Sequence, residues 1–188
     1  LSNGDFDTDP GQDIAVLSTW LESGDKNAFF TGDDLAYDLN TNGAGGAAFL
    51  STWLGVQHET KSIQSFIGNQ TSPTVRAFDS NPVWGSISEL IAYGGCNVIN
   101  EFDGVSPIGV TESCAEFTDP NGKGGVYDFS AGTYRYVEAS NNQIFYTPYD
   151  LMYVYTPSGG VPGTDPVVSA RSVVLRDVLL TFSIVPGP

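Results

Sequence analysis

The chain has 188 residues, 22 of them acidic and only 7 basic, and carries a net charge of −15. Its length suits one domain with a core large enough to fold unaided, and 40% hydrophobic and 12% aromatic content marks a globular chain. So negative a surface repels phosphate backbones and anionic headgroups, which argues against nucleic acid as a partner. No apolar run reaches the length of a spanning helix, so no membrane insertion is expected.

Residues 1–11 are polar and turn-rich. Asp5, Asp7 and Asp9 alternate, and Asp13 follows Pro10-Gly11. Closely spaced carboxylates suit a hard cation, which makes calcium the only cofactor this sequence suggests. The EF-hand spacing fails, because Pro10 stands where Gly is required and Val16 where a bidentate Glu belongs. The alternative is a solvated acidic loop. An amphipathic pattern then runs from Asp13 through Ile14, Val16, Leu17, Trp20 and Leu21 to a stop at Ser23-Gly24, which predicts a helix. Lys26–Thr31 reads as a short strand, a second helix opens at Asp34, and a third spans roughly Ala44–Leu54. Leu17-Ser18-Thr19-Trp20-Leu21 recurs as Leu50-Ser51-Thr52-Trp53-Leu54. Two copies do not make a repeat array. They read as two helices packing the same apolar end on one sheet.

Between the first strand and the second helix lies the most informative segment, Ala28 to Leu39. An apolar strand, a tight turn at Gly32 and a helix opening on Asp33 and Asp34 have the layout of a nucleophile elbow, in which a strained turn presents one side chain. In Gly32-Asp33-Asp34-Leu35-Ala36 the nucleophile position is filled by Asp34. The competing reading is structural. Two carboxylates at a helix start cap free N–H groups and suit the positive end of the helix dipole, and helix starts far outnumber active sites.

Beyond Gly55 the texture becomes β-like. Ser62–Ile67, Val75–Phe78, Asn97–Phe102, Val126–Phe129, Thr133–Glu138 and Gln143–Tyr146 have strand composition, and Ile87–Tyr93 is ambiguous. Residues 156–166 form a Pro/Gly loop, and Ser169–Phe182 closes the chain as a helix. Helices alternate with strands early and strands dominate later, which predicts a single α/β domain over residues 1–188. His58, the chain's only histidine, stands beside Glu59 and is either a base or metal ligand or an ordinary hydrogen-bonded side chain. The tyrosines 134, 136, 146, 149, 153 and 155 either line a groove or form a half-buried sheet face. Asn69-Gln70-Thr71 is a glycosylation triplet, meaningful only in a host that glycosylates. Cys96 and Cys114 flank 17 residues. Scarce Lys and turn-forming or polar neighbours of both cysteines favour a disulfide closing a loop at the edge of the sheet in an exported protein, over two buried thiols.

Taken in order, the acidic loop, the helix ending Trp20-Leu21-Glu22-Ser23-Gly24, the strand Asn27-Ala28-Phe29-Phe30 and Gly32-Asp33-Asp34-Leu35-Ala36 resemble the nucleophile region of class I glutamine amidotransferase-like domains. More closely, they resemble the divergent domains of this kind in secreted multidomain bacterial proteins. Gln143 to Asp150 resembles the strand that delivers the catalytic His and Glu, and Arg171–Phe182 the closing helix. The resemblance implies a three-layer flavodoxin-like sheet with a β-rich excursion between about Gly55 and Phe145. It also implies that strands precede the acidic loop, so the chain is expected to be a processed product or piece of a larger precursor. The family's Cys is replaced by Asp34, and Thr147-Pro148-Tyr149-Asp150 stands where His-x-Glu belongs. Acyl transfer from glutamine needs a thiolate and an imidazole at those places. The expectation is therefore a catalytically silent binding or scaffolding domain, extracellular or at the cell surface, with other domains or chains of the same precursor or assembly as partners. Two alternatives stand beside it: a hydrolase with Asp34 as nucleophile and His58 as base, and a structural subunit of an extracellular assembly.

Overall fold

The computed structural model describes residues 12–41, 45–63, 74–78, 90–92, 102–118, 129–151, 154–155 and 170–183. The fold mixes α and β. Helix α1 (Gln12–Glu22) leads into strand β1 (Asn27–Thr31), and α2 (Leu35–Thr41) is followed by α3 (Gly46–Phe49), which continues as a π-helical turn over Leu50–Leu54. The strands β2 (Val56–Thr60), β3 (Thr74–Ala77), β4 (Leu90–Ala92), β5 (Gly104–Pro107), β6 (Glu112–Thr118), β7 (Ser130–Val137), β8 (Asn142–Thr147) and β9 (Val154–Tyr155) come next, and α4 (Ala170–Thr181) ends the described chain. Seven strands form one sheet in the order β1-β8-β7-β6-β3-β4-β9, while β2 and β5 pair separately. β1 and β8 run parallel, with Phe29 opposite Phe145, and the other described pairings are antiparallel.

Side-chain alternation along β1 and β8 divides the core. Ala28, Phe30, Ile144 and Tyr146 point to one face and pack with Ile14 and Leu21 of α1, Leu35 and Leu39 of α2, and Phe49, Leu50 and Leu54. Phe29 and Phe145 point to the other face and pack with Val174, Val178 and Phe182 from α4 and its C-terminal end. Helices thus cover both faces of the parallel pair. Both copies of the recurring Leu-Ser-Thr-Trp-Leu segment supply leucines to the first of these clusters, Leu21 from one and Leu50 and Leu54 from the other.

The sequence-based strands at Val75–Phe78, Thr133–Glu138 and Gln143–Tyr146 correspond to β3, β7 and β8. Ser62 and Ile63, by contrast, lie outside any strand, and β2, β5 and β6 form where no strand was expected. Cys114 sits fully buried on β6, between β3 and β7, so it is in the interior of the sheet and not at its edge. Cys96 lies outside the described residues, as do Asn69, Tyr153, residues 156–166 and the three aspartates at 5, 7 and 9. Among the described residues no helix is long and apolar enough to cross a membrane.

Candidate functional site

The carboxyl ends of the parallel strands β1 and β8 meet where α2 begins, the place at which open α/β sheets bind ligands. Gly32 extends the ladder by donating to the Thr147 carbonyl at 3.3 Å. The Asp34 carbonyl then accepts the first helical bond of α2, from Asp38 N at 2.9 Å, which makes Asp34 the N-cap residue. Neither Asp33 nor Asp34 has a positive φ, and Gly32 has none either. The turn therefore lacks the left-handed strain expected of an elbow and is an ordinary passage from strand to helix.

What caps that helix comes from elsewhere in the chain. Asp103, immediately before β5 and wholly buried, accepts through Oδ2 from the backbone N–H groups of Ala36 at 2.9 Å and Tyr37 at 3.0 Å. These are the second and third residues of α2, whose amides an N-cap side chain ordinarily serves. Its other oxygen, Oδ1, lies 3.6 Å from His58 Nε2 on β2. The His58 ring packs 5.7 Å from that of Tyr37, and Lys61 Nζ stands 4.5 Å from the centre of the Tyr37 ring. Tyr146 of β8 is fully buried beneath the turn, and its hydroxyl makes no hydrogen bond.

Burial dominates the electrostatics. It pushes the Asp103 carboxyl up to about 8, the two backbone donors pull the other way, and the charges of Asp34 and Asp38 reinforce the rise. Burial also raises Asp33, helped by Asp34 and Asp150, and lowers His58 against the opposing influence of Glu59 and the Thr60 backbone. Tyr146 is held well above the ordinary phenol range by burial and by the nearby Asp103 and Asp33. Asp33, His58, Asp103 and Tyr146 thus favour their uncharged forms.

The chain's own loop closes the end of the β1–β8 pair. Thr31 Oγ1 donates to the Tyr149 carbonyl at 2.6 Å and accepts from Leu151 N at 3.0 Å, and Thr147 Oγ1 also reaches the Tyr149 carbonyl at 3.2 Å. The Tyr149 side chain is fully buried in the α4-side core. Thr147 to Asp150, the segment compared with a catalytic His-x-Glu, thus fastens one strand end to another.

The structure brings Asp33, Asp34 and His58 into one neighbourhood through Asp103, a residue sequence reasoning passed over. Its one signal was an acidic residue in the largely apolar run from Phe102 to Val105. Asp13 is exposed in the first turn of α1. Among the described residues no cluster of His, Cys, Asp and Glu is arranged to hold a metal. Of the tyrosines, Tyr146 and Tyr149 are core residues while Tyr136 is 44% exposed. No protein-family model matches the chain, and no curated protein matches it.

Proposed function

We propose that this chain is a catalytically silent, exported domain of the amidotransferase-like kind that binds or scaffolds other domains or chains of the same precursor or assembly. One observation carries the reading: the amides that open α2 are occupied by Asp103. Acyl transfer at an elbow needs free backbone N–H groups to hold a developing oxyanion. Here a carboxyl of the protein fills that place, beside a turn without strain and a strand end closed by Thr31 and Tyr149. The parallel β1–β8 pair leading into α2, with helices over both faces, supports the flavodoxin-like part of the proposal. β3, β4, β6 and β7 fall inside the expected β-rich excursion.

The second reading, a hydrolase with Asp34 as nucleophile, draws on His58, whose Nε2 faces Asp103 within the same neighbourhood. A carboxylate nucleophile forms an ester that an activated water must then hydrolyse. Both readings are tested by initial rates on p-nitrophenyl acetate, p-nitrophenyl phosphate and γ-glutamyl-p-nitroanilide, with the wild-type chain and Asp34→Asn compared after circular dichroism confirms a common fold. The silent domain gives no rate above buffer with either chain. Turnover that the substitution abolishes overturns it in favour of the hydrolase.

A further inference from the structure

His58 and Asp103 are the two ends of an unexplained contact between β2 and the start of β5. Asp103 Oδ2 is committed to two N–H donors, so any proton on this carboxyl belongs on Oδ1. Oδ1 and His58 Nε2 are both buried, neither has a hydrogen-bond partner, and they face each other at 3.6 Å. With the ring's one proton on Nδ1, Nε2 is the acceptor that this contact needs. We propose that Asp103 and His58 act as a proton-sharing clamp, in which Oδ1–H of a neutral Asp103 donates to Nε2 of a neutral His58 and ties α2 to the β2–β5 pair. The 3.6 Å separation exceeds hydrogen-bond length, and closing it takes a movement of roughly half an ångström, within reach of a small carboxyl or ring rotation.

The surroundings favour the uncharged pair over an ion pair. Asp34 at the mouth of α2 and Asp38 on it are carboxyls that resist another negative charge at Asp103. Tyr146 approaches from β8 as a neutral phenol. Tyr37 presents its ring to His58, Lys61 sits on that ring, and Glu59 beside His58 favours imidazolium.

The consequence is a stability that depends on one proton. An unfolded Asp103 ionises near its ordinary 3.8 and the folded one near 8, so the folded state binds the extra proton between these values. This group's contribution is full below about 3.8 and is lost as pH rises through about 8. His58 acts in the opposite sense, but only below its ordinary 6.5, because its folded value is the lower one. The window from 6.5 to 8 therefore isolates Asp103.

Asp103→Asn mimics the neutral acid, since the amide oxygen accepts the two N–H bonds while the NH₂ donates to His58. The ratio of wild-type to Asp103→Asn unfolding constants, from urea titrations, should rise by up to tenfold per pH unit between 6.5 and 8. Because His58 is the only histidine, ¹⁵N spectra of its ring need no assignment. They should show a neutral Nδ1–H imidazole at pH 7 with a midpoint below 6.5. A protonated His58 at pH 7, or parallel stability curves for the two chains, overturns the clamp. Should Asp103→Asn fail to fold, the wild-type ring spectrum decides alone.

Discussion

Asp103 replaces the capping that Asp33 and Asp34 promise in the sequence. Those two carboxylates do mark a helix start, and Asp34 holds the N-cap position, but the two amides are served by a residue 67 positions away from Ala36. Local spacing cannot register a contact made only when the residue before β5 reaches the start of α2, which is why the most constrained carboxyl of the neighbourhood escaped notice. The same limit applies to His58: its solitude was legible, its partner was not. Asp103→Ala leaves the N–H groups of Ala36 and Tyr37 without acceptors in a buried setting, and should cost roughly 2 kcal/mol of unfolding free energy. Chemical denaturation near pH 4, where the raised Asp103 carboxyl has lost least of its stabilising contribution, measures this. A loss no larger than that of a typical exposed substitution would remove Asp103 from its capping role.

Among the elements, those with strong periodicity or clear punctuation were legible: α1 with its glycine end, β1, β8 and α4. β6 was not, because Glu112-Ser113-Cys114-Ala115-Glu116-Phe117-Thr118 has little β-branched content and two acidic residues. Tertiary context makes it a central strand, with Glu116 5% exposed and paired across the ladder with Arg76 of β3. β2 and β5 depend on each other in the same way, bonded as a pair apart from the main sheet. Another connection hidden in the sequence is Asn142, fully buried at the start of β8. Its Nδ2 donates to the Leu21 carbonyl at 2.8 Å and its Oδ1 accepts from Lys26 N at 2.9 Å, joining the end of α1 to the start of β1. Asn142→Ala strands one donor and one acceptor and is expected to destabilise by roughly 2–4 kcal/mol. Thermal melts of the two chains test this, and an unchanged midpoint would show that the link carries no weight.

For the molecule as a whole, composition suits a globular chain and specifies no chemistry. The 22 acidic residues identified no binding site, and a net charge of −15 works against the compact state through self-repulsion. Screening relieves such repulsion over distances of about 10 Å at 0.1 M salt. The melting midpoint should therefore rise between 10 and 500 mM sodium chloride at pH 7; a fall would mean that attractive pairs outweigh the repulsion. The proposal of a silent domain built on a catalytic-looking turn rests on the amides at the opening of α2. Amide hydrogen exchange at Ala36 and Tyr37, followed by NMR in the wild-type chain, tests that claim most directly. The account predicts that both are strongly protected and become fast-exchanging in Asp103→Ala while the β7–β8 ladder stays protected. Rapid exchange of both amides in the wild-type chain, leaving them free to hold an oxyanion, would contradict it.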